Sequence, residues 1–140
     1  MNGYVLDANI LVGMLISGKG SYRQLLQFFD FASPDFVFEE IEKYKAEIKG
    51  KTRLDEKQLA KFAHAIFAQI TVLPSLILAE AVKYKAAELT FDIDRKDIIY
   101  VALAMQLDAV LLTGDKKLVA GLKLKGFRKV MLWEEFIKSL

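Results

Sequence analysis

Short apolar segments alternate with longer helical segments along the chain, and this alternation constrains the fold more than any other feature. The clearest apolar segment, residues 109–113, is Ala-Val-Leu-Leu-Thr and is typical of a buried strand. Residues 2–6 and 71–73 are two further strand candidates. Because helical segments separate these strands, we expect parallel pairing with right-handed crossovers. The predicted fold class is α/β, with a small parallel sheet between helix layers.

Hydrophobic periodicity predicts the helices. In residues 56–70 the apolar side chains recur every three or four positions, which indicates an amphipathic helix, and Asp55 with Gln58 resembles a capping box at its start. Residues 98–106 have almost no polar face, so this helix should be buried on several sides. Further elements are expected as helices at residues 9–15, 21–31, 74–89, 116 onward and 134–138, and as a strand near residues 129–131.

The second strand is expected at residues 35–38, Asp-Phe-Val-Phe, directly after Pro34. Glu39 and Glu40 then begin a predicted helix, and Gly50 is its expected end. This arrangement places a pair of acids just beyond a strand.

Size and composition set the broad class. The length of 140 residues fits one compact domain, residues 1–140, and a hydrophobic content of 54% allows a sizeable core. The absence of cysteine excludes disulfides, thiolate zinc sites and cysteine nucleophiles. We find neither a signal-peptide pattern nor an apolar run near the roughly 20 residues that a membrane helix needs. We therefore expect a cytoplasmic protein with no membrane partner. The net charge of +2 is too small to indicate nucleic-acid binding by itself.

Acids occupy the ends of several predicted elements. Asp7 ends the first strand, Glu40 lies at the start of the helix after the second strand, and Asp115 follows the strand at residues 109–113. Asp97 begins the apolar helix before that strand. Open α/β sheets place their sites at the carboxyl ends of the strands, so these acids are candidates for one site. Each acid alone also has an ordinary structural interpretation, as a helix cap or a turn residue.

A group of carboxylates favours metal chemistry. Carboxylates held together repel each other, and a divalent cation removes that conflict. Oxygen ligands without cysteine or a well-placed histidine favour Mg²⁺ or Mn²⁺ over Zn²⁺. The only histidine, His64, lies on the amphipathic helix of residues 56–70 and is interpreted as structural. A bound cation can lower the pKa of a water and offset charge on a phosphodiester, and the sequence leaves open whether one ion binds or two.

The segments around these acids resemble the motifs of PIN domains. Residues 5–11, VLDANIL, are similar to the opening motif, a strand that ends in Asp and continues with a small residue and Asn, Ser or Thr. Residues 36–41, FVFEEI, and 94–104, DRKDIIYVALA, resemble the second and third motifs. Residues 111–115, LLTGD, match the fourth, in which Thr or Ser is followed by any residue and Asp. Four motifs in order over most of the chain make the resemblance specific.

The resemblance implies an α/β/α sandwich and a metal-dependent endoribonuclease that uses Mg²⁺ or Mn²⁺. Many family members of this size are VapC-type toxins of VapBC toxin–antitoxin pairs, and others process RNA. It implies that the catalytic and metal-site acids are Asp7, Glu40, Asp97 and Asp115, with Asn9, Asp94 and Thr113 as supporting groups. Glu39 competes with Glu40, and the apolar Ile41 that follows favours Glu40.

The expected partners follow from the same resemblance and from the neighbouring charges. Candidates for holding an RNA backbone are Arg95, Lys96, Lys116 and Lys117. The basic stretch at residues 43–53 is better interpreted as a solvated helix face paired with nearby glutamates. We expect an RNA substrate, a homodimer, and an antitoxin protein if the chain is the toxin of such a pair.

Three other functions were compared with this interpretation. A haloacid-dehalogenase-like phosphatase needs acids where this chain has Asn9 and Val119, so two positions disagree. A dinucleotide-binding enzyme is disfavoured because no Gly-x-Gly-x-x-Gly follows the first strand. A non-catalytic PIN module that binds RNA or protein is the remaining alternative, and metal-dependent cleavage of RNA distinguishes it from a nuclease.

Overall fold

The structure is a computed structural model that describes residues 3–140. Its centre is a five-stranded, all-parallel sheet with strand order β3-β2-β1-β4-β5. The strands are β1 (Tyr4–Leu6), β2 (Phe31–Pro34), β3 (Thr71–Leu73), β4 (Val110–Thr113) and β5 (Val130–Leu132). The predicted α/β class with a small parallel sheet is confirmed.

Helices connect the strands and cover the sheet. They are α1 (Ala8–Ser17), α2 (Ser21–Leu25), α3 (Phe36–Lys43), α4 (Lys45–Lys51), α5 (Glu56–Ala68), α6 (Glu80–Thr90), α7 (Ile98–Leu107), α8 (Lys116–Leu124) and α9 (Trp133–Lys138). Short 3-10 segments, Ser75–Ile77 and Arg95–Asp97, precede α6 and α7. None of the helices in residues 3–140 combines the length and the hydropathy needed to cross a bilayer.

The strand order creates a crevice beside β1. The chain leaves β1 to form β2 and β3 on one side, and then crosses back to form β4 and β5 on the other side. Val5 pairs with Ala32 of β2 and Leu111 of β4, so β1 is hydrogen-bonded on both sides. At such a reversal the connections leave in opposite directions, which opens a crevice at the carboxyl ends of the two central strands.

Helix α7 forms the centre of the core. It contacts β1, β2 and β4 as well as α6, and its residues 100–104 are all buried. This burial confirms the prediction from its nearly continuous apolar sequence. Because α7 cannot shift without disturbing several neighbours, the residues at its start have a fixed position relative to the strand ends.

The predicted second strand was wrong. Residues 35–38 do not form a strand: β2 lies earlier, at Phe31–Pro34, and α3 begins at Phe36. The burial pattern shows why, because Val37 and Glu40 are buried whereas Phe38 is 50% exposed, which is a helical spacing. Pro34 is tolerated because it ends the strand, and the next N–H, from Asp35, donates to the carbonyl of β3 residue Leu73.

Several helix boundaries also differ from prediction. The predicted helix over residues 21–31 ends at Leu25, because the chain must turn before entering β2. The helix expected after Glu39 begins earlier and breaks at Tyr44, and Gly50 lies inside α4 rather than at its end. The helix expected at residues 74–89 becomes a 3-10 segment followed by α6.

The predicted capping box before α5 is confirmed. The Asp55 carboxylate accepts a hydrogen bond from the Gln58 N–H at 2.7 Å, and the Gln58 side chain accepts one from the Asp55 N–H at 3.0 Å. Both bonds satisfy amides that the helix itself leaves unpaired.

Candidate active site

A cleft of about 300 Å³ lies at the carboxyl edge of the sheet, at the crevice beside β1. Asp7 directly follows β1, and Asp115 lies two residues beyond β4, so both strand ends meet there. Acidic side chains dominate the polar lining: Asp7, Glu40, Glu47, Asp94, Asp97 and Asp115, together with Asn9, Tyr44 and Lys96. The structure therefore brings all four acids named from the sequence into one cleft.

Asp7 does not act as a helix cap. It occupies the residue before α1 in an extended conformation, but its side chain makes no capping hydrogen bond. Instead, the carboxylate accepts a 2.8 Å hydrogen bond from the Thr113 hydroxyl and a longer one, 3.4 Å, from the Asn9 amide. Asp7 is only 6% exposed, so these bonds hold a buried carboxylate at the cleft.

Asn9 and Thr113 join the ends of β1 and β4. The Asn9 side-chain amide donates to the Thr113 hydroxyl at 3.3 Å, and its carbonyl oxygen accepts from the Gly114 N–H at 3.1 Å. The Thr113 hydroxyl also accepts from the Asp115 N–H at 3.1 Å. The two supporting residues thus fix the position of Asp7 relative to the chain that carries Asp115.

Glu40 reaches the cleft from the second turn of α3. It lies three residues after Val37, on the same inward face, and is only 5% exposed. Glu39 is exposed and does not line the cleft. The sequence thus identified the acid that lines the cleft but assigned it to the first turn of the helix.

Asp97 and Asp94 approach from the segment before α7. Asp97 is 5% exposed, makes no helix-capping hydrogen bond, and has a buried oxygen, Oδ2, with no hydrogen-bond partner among residues 3–140. Asp94 instead accepts a 3.1 Å hydrogen bond from the Lys96 N–H, and its carboxylate lies 3.6 Å from the Lys96 ammonium. Asp94 is therefore partly neutralised, whereas Asp97 faces the cleft with an unsatisfied oxygen.

Asp115 has a structural role in addition to its place in the cleft. It caps α8, because its Oδ1 accepts a 3.1 Å hydrogen bond from the Leu118 N–H. This structural interpretation was one of the two left open by the sequence. The capping bond uses Oδ1, which leaves Oδ2 as the oxygen with a free coordination position.

The cleft disfavours negative charge. Burial raises the pKa of Asp97 to about 7, with further contributions from Asp7 and Asp94. Burial also raises the pKa of Asp7 to about 6; the Thr113 hydrogen bond opposes this rise, and the charge of Glu40 adds to it. Lys96 has a raised pKa chiefly because Asp94 lies beside it. A cation placed among these acids would relieve both burial and repulsion.

The donor chemistry fits a hard divalent cation. All the acids offer oxygen, and the buried, unpartnered Asp97 Oδ2 is a free ligand position. In this conformation, however, residues 3–140 contain no group of three or more Asp, Glu, His or Cys side chains arranged to hold a metal ion. The acids would therefore have to move closer together to share one ion.

The basic candidates separate into two groups. All four side chains are exposed, but Lys96 lines the cleft, whereas Arg95, Lys116 and Lys117 lie outside its lining. Of these four basic residues, therefore, only Lys96 lies in the cleft with the acids.

Sequence reasoning missed two polar residues of the cleft. Tyr44 and Glu47 lie four and seven residues after Glu40, which is the spacing of one helical face. That spacing was visible in the helix predicted to begin at Glu39 and Glu40, although the structure breaks this helix at Tyr44.

A family model described as PIN domain matches residues 5–134, nearly the whole chain. The chain therefore belongs to the PIN-domain family, as its four motifs indicated. No curated protein matches the sequence significantly.

Three solved structures share the fold. The PAE2754 protein from Pyrobaculum aerophilum is 16% identical, with a TM-score of 0.67 over 99% of this chain and 88% of that one. VapBC2 from Rickettsia felis, bound to a DNA fragment from their promoter, is 16% identical with a TM-score of 0.58 over 92% and 96%. A toxin–antitoxin complex from Klebsiella pneumoniae is 19% identical with a TM-score of 0.60 over 91% and 95%.

Proposed function

We propose that this protein is a metal-dependent endoribonuclease that hydrolyses RNA phosphodiester bonds with Mg²⁺ or Mn²⁺. The observation that carries the proposal is the gathering of Asp7, Glu40, Asp97 and Asp115 around one cleft at the reversal of the strand order. Membership of the PIN-domain family supports it. Buried acids with raised pKa values are costly to the fold, and such groups concentrate at functional sites.

In this proposal each acid has a distinct role. Asp7, Glu40 and Asp97 would hold the cation directly or through water, and Asp115 would complete or orient that set. Asn9 and Thr113 orient the Asp7 carboxylate through the hydrogen bonds described above. A bound divalent cation lowers the pKa of a coordinated water and offsets charge that develops on a phosphodiester.

The basic residues would hold the substrate. Lys96 lies in the lining beside the acids, and its ammonium would contact a phosphate next to the scissile one. Asp94 keeps this side chain near the cleft through their 3.6 Å ion pair. Arg95, Lys116 and Lys117 are exposed outside the lining and would contact the RNA backbone farther from the scissile bond.

We further propose the toxin role, with a homodimer and an antitoxin protein as partners. One structural neighbour, from Klebsiella pneumoniae, is a toxin–antitoxin complex, and another, from Rickettsia felis, is VapBC2 bound to a DNA fragment from their promoter. Light scattering at micromolar concentration should give a dimeric mass. A short neighbouring gene that encodes a small DNA-binding protein would support the toxin role over a role in RNA processing.

Cleavage of RNA tests the enzymatic proposal. Wild-type protein should cut RNA with Mg²⁺ or Mn²⁺, and EDTA should abolish cutting. Asp7→Asn keeps the side-chain shape but removes one negative charge from the proposed metal site, so we expect at least a 100-fold loss of rate. Asp30→Asn is the matched control, because Asp30 is exposed and precedes β2 at the opposite edge of the sheet.

The outcomes separate the two candidate functions. Cleavage that survives both EDTA and Asp7→Asn would show that the activity does not come from this cleft. No cleavage by wild-type protein, with Mn²⁺ binding retained or not, would favour a non-catalytic PIN module that binds RNA or protein.

A further inference from the structure

Helix α7, whose start borders the cleft, contains a buried phenol that its packing does not explain. Tyr100 is 0% exposed, and its hydroxyl has no hydrogen-bond partner among residues 3–140. A buried polar group without a partner is destabilising, so a phenylalanine would be the less costly residue for packing alone. The hydroxyl therefore needs an explanation beyond the core.

The hydroxyl lies within range of the charges of Glu40, Asp7 and Asp97. Tyr100 is in the first turn of α7, three residues after Asp97, which directly precedes that helix; this is the spacing of one helical face. Its ring packs edge-on against Phe36, the first residue of α3, with ring centroids 6.3 Å apart. Glu40 lies one turn further along α3, close enough that its charge raises the pKa of the Tyr100 hydroxyl, after the larger effect of burial.

We propose that Tyr100 is a positioning residue that donates a hydrogen bond to the Glu40 carboxylate when a divalent cation occupies the cleft. The inference rests on the proposed metal site and adds to it a group that does not itself bind the ion. The hydrogen bond would select the Glu40 orientation in which one oxygen faces the phenol and the other faces the cation.

The bond capacities of the two groups are suited to this arrangement. A phenol offers one O–H donor, and a carboxylate has several lone pairs, so Glu40 can accept this bond and still bind an ion. Partners that orient metal ligands in this way commonly change metal affinity by about 10–100-fold. The hydroxyl lies within interaction range of the Glu40 carboxylate, but the geometry of the two groups falls short of a hydrogen bond in this conformation.

The alternative is that Tyr100 only fills space in the core. In that case removal of its hydroxyl should leave metal binding unchanged and leave the metal-free protein equally or more stable, because an unpartnered polar group is lost. The two interpretations therefore predict different effects of removing the hydroxyl on metal affinity, but the same effect on the stability of the metal-free protein.

Tyr100→Phe tests the proposal, with Tyr4→Phe as the matched control. Tyr4 is a partly buried tyrosine at the start of β1, at the opposite edge of the sheet, where its ring packs against Phe31 and Phe136. Mn²⁺ affinity is measured by calorimetry, and the tyrosine near-ultraviolet absorption band is followed through the same titration. The thermal midpoint of the metal-free proteins is recorded in parallel.

We expect Tyr100→Phe to bind Mn²⁺ about 10-fold more weakly or worse, with an unchanged or higher metal-free midpoint. Wild-type protein and Tyr4→Phe should show the same change of the tyrosine band on Mn²⁺ binding, and Tyr100→Phe should lack it. Affinity within about twofold of wild type, or an unaltered band change, would overturn the role of Tyr100 while leaving the proposed metal site intact. If the wild-type protein itself binds no Mn²⁺, both proposals fall together.

Discussion

The two ends of the central strands are built in opposite ways. At the amino end, β1 and β2 begin with paired aromatic residues, Tyr4 and Phe31, and Phe29 and Phe136 pack around them with ring centroids 4.8–6.2 Å apart. At the carboxyl end, β1 and β4 lead to a cleft lined by acids, and the described residues there include an unpartnered carboxylate oxygen of Asp97 and, on the adjoining helix α7, the unpartnered phenol of Tyr100.

This difference assigns separate tasks to the two ends. Aromatic packing contributes stability through buried area and edge-to-face contacts. The buried acids, in contrast, lower the stability of the metal-free protein because their folded-state pKa values are raised. The aromatic end offsets the cost of the buried acids, which a cation bound among them would relieve. Substitutions at the two ends should therefore change different properties.

The largest effect on stability is expected at the amino end. Phe136→Ala removes a 2%-exposed ring from the aromatic cluster, and we expect a loss of about 3–5 kcal/mol in the free energy of unfolding. Denaturant unfolding measures this loss. Mn²⁺ affinity of the folded protein should stay within about twofold of wild type, since the cluster lies away from the cleft. A large change in Mn²⁺ affinity would show that the two ends are coupled.

At the carboxyl end of the strands, we expect a substitution to increase stability rather than decrease it. Asp97→Asn removes the charge of a buried acid whose pKa is raised, so the metal-free protein should gain about 1–3 kcal/mol of stability at pH 8. Its Mn²⁺ affinity should fall. Equal or lower stability of Asp97→Asn at pH 8 would mean that the ionised Asp97 carboxylate does not destabilise the folded protein.

The pH dependence of stability follows from the same shifts. The usual pKa of aspartate is 3.8, and the folded values are about 6 for Asp7 and about 7 for Asp97. The unfolded chain releases these protons first, so the stability that they contribute is complete below pH 3.8 and is lost as pH rises through 7. In Asp97→Asn this decline should be shallower. Saturating Mn²⁺ should restore stability at high pH in the wild-type protein.

A smaller effect is expected where the two strand ends are joined. Thr113→Val keeps the shape of the side chain but removes the hydroxyl that donates to Asp7 and accepts from the Asp115 N–H. We expect a stability loss of about 1 kcal/mol and about 10-fold weaker Mn²⁺ binding. Thr113→Ser retains the hydroxyl and should lie close to wild type in both measurements. Wild-type behaviour of Thr113→Val together with impaired Thr113→Ser would show that the methyl group rather than the hydrogen bonds holds Asp7.

The smallest effect is expected for substrate binding. Lys96→Ala should raise the KM for RNA severalfold. It should also reduce the slope of log affinity against log salt concentration by the amount that about one phosphate contact contributes. Lys117→Ala is the comparison, because Lys117 is exposed and outside the cleft lining. Equal effects of the two substitutions would show that RNA is held by a diffuse surface charge rather than beside the acids.

The sequence predicted the positions of the acids better than the elements that carry them. Asp7 and Asp115 follow apolar segments whose strand character is unambiguous, so their edge of the sheet was predictable. Glu40, the acid preferred for the second motif, lines the cleft. The strand before it was misplaced because the apolar residues 36–38 fit both a strand and a helix over so short a length.

The rest of the cleft depends on tertiary structure. The capping bond of Asp115 and the missing cap at Asp7 are decided by local geometry that a single acid before a helix does not reveal. Tyr100 belongs to a continuous apolar run, so nothing in the sequence distinguishes its hydroxyl from an ordinary core phenol. Its position beside Glu40 arises only because α3 and α7 pack at the same strand ends.

The most direct measurement of the central claim is anomalous X-ray diffraction from crystals of this protein grown with Mn²⁺. The account predicts an anomalous peak inside the cleft, with oxygen ligands from Asp7, Glu40 and Asp97, and with the acids closer together than in the metal-free conformation. It also predicts that the peak is absent in Asp7→Asn. A fully ordered cleft without a peak at saturating Mn²⁺, or a peak that lies outside the cleft, would contradict the account.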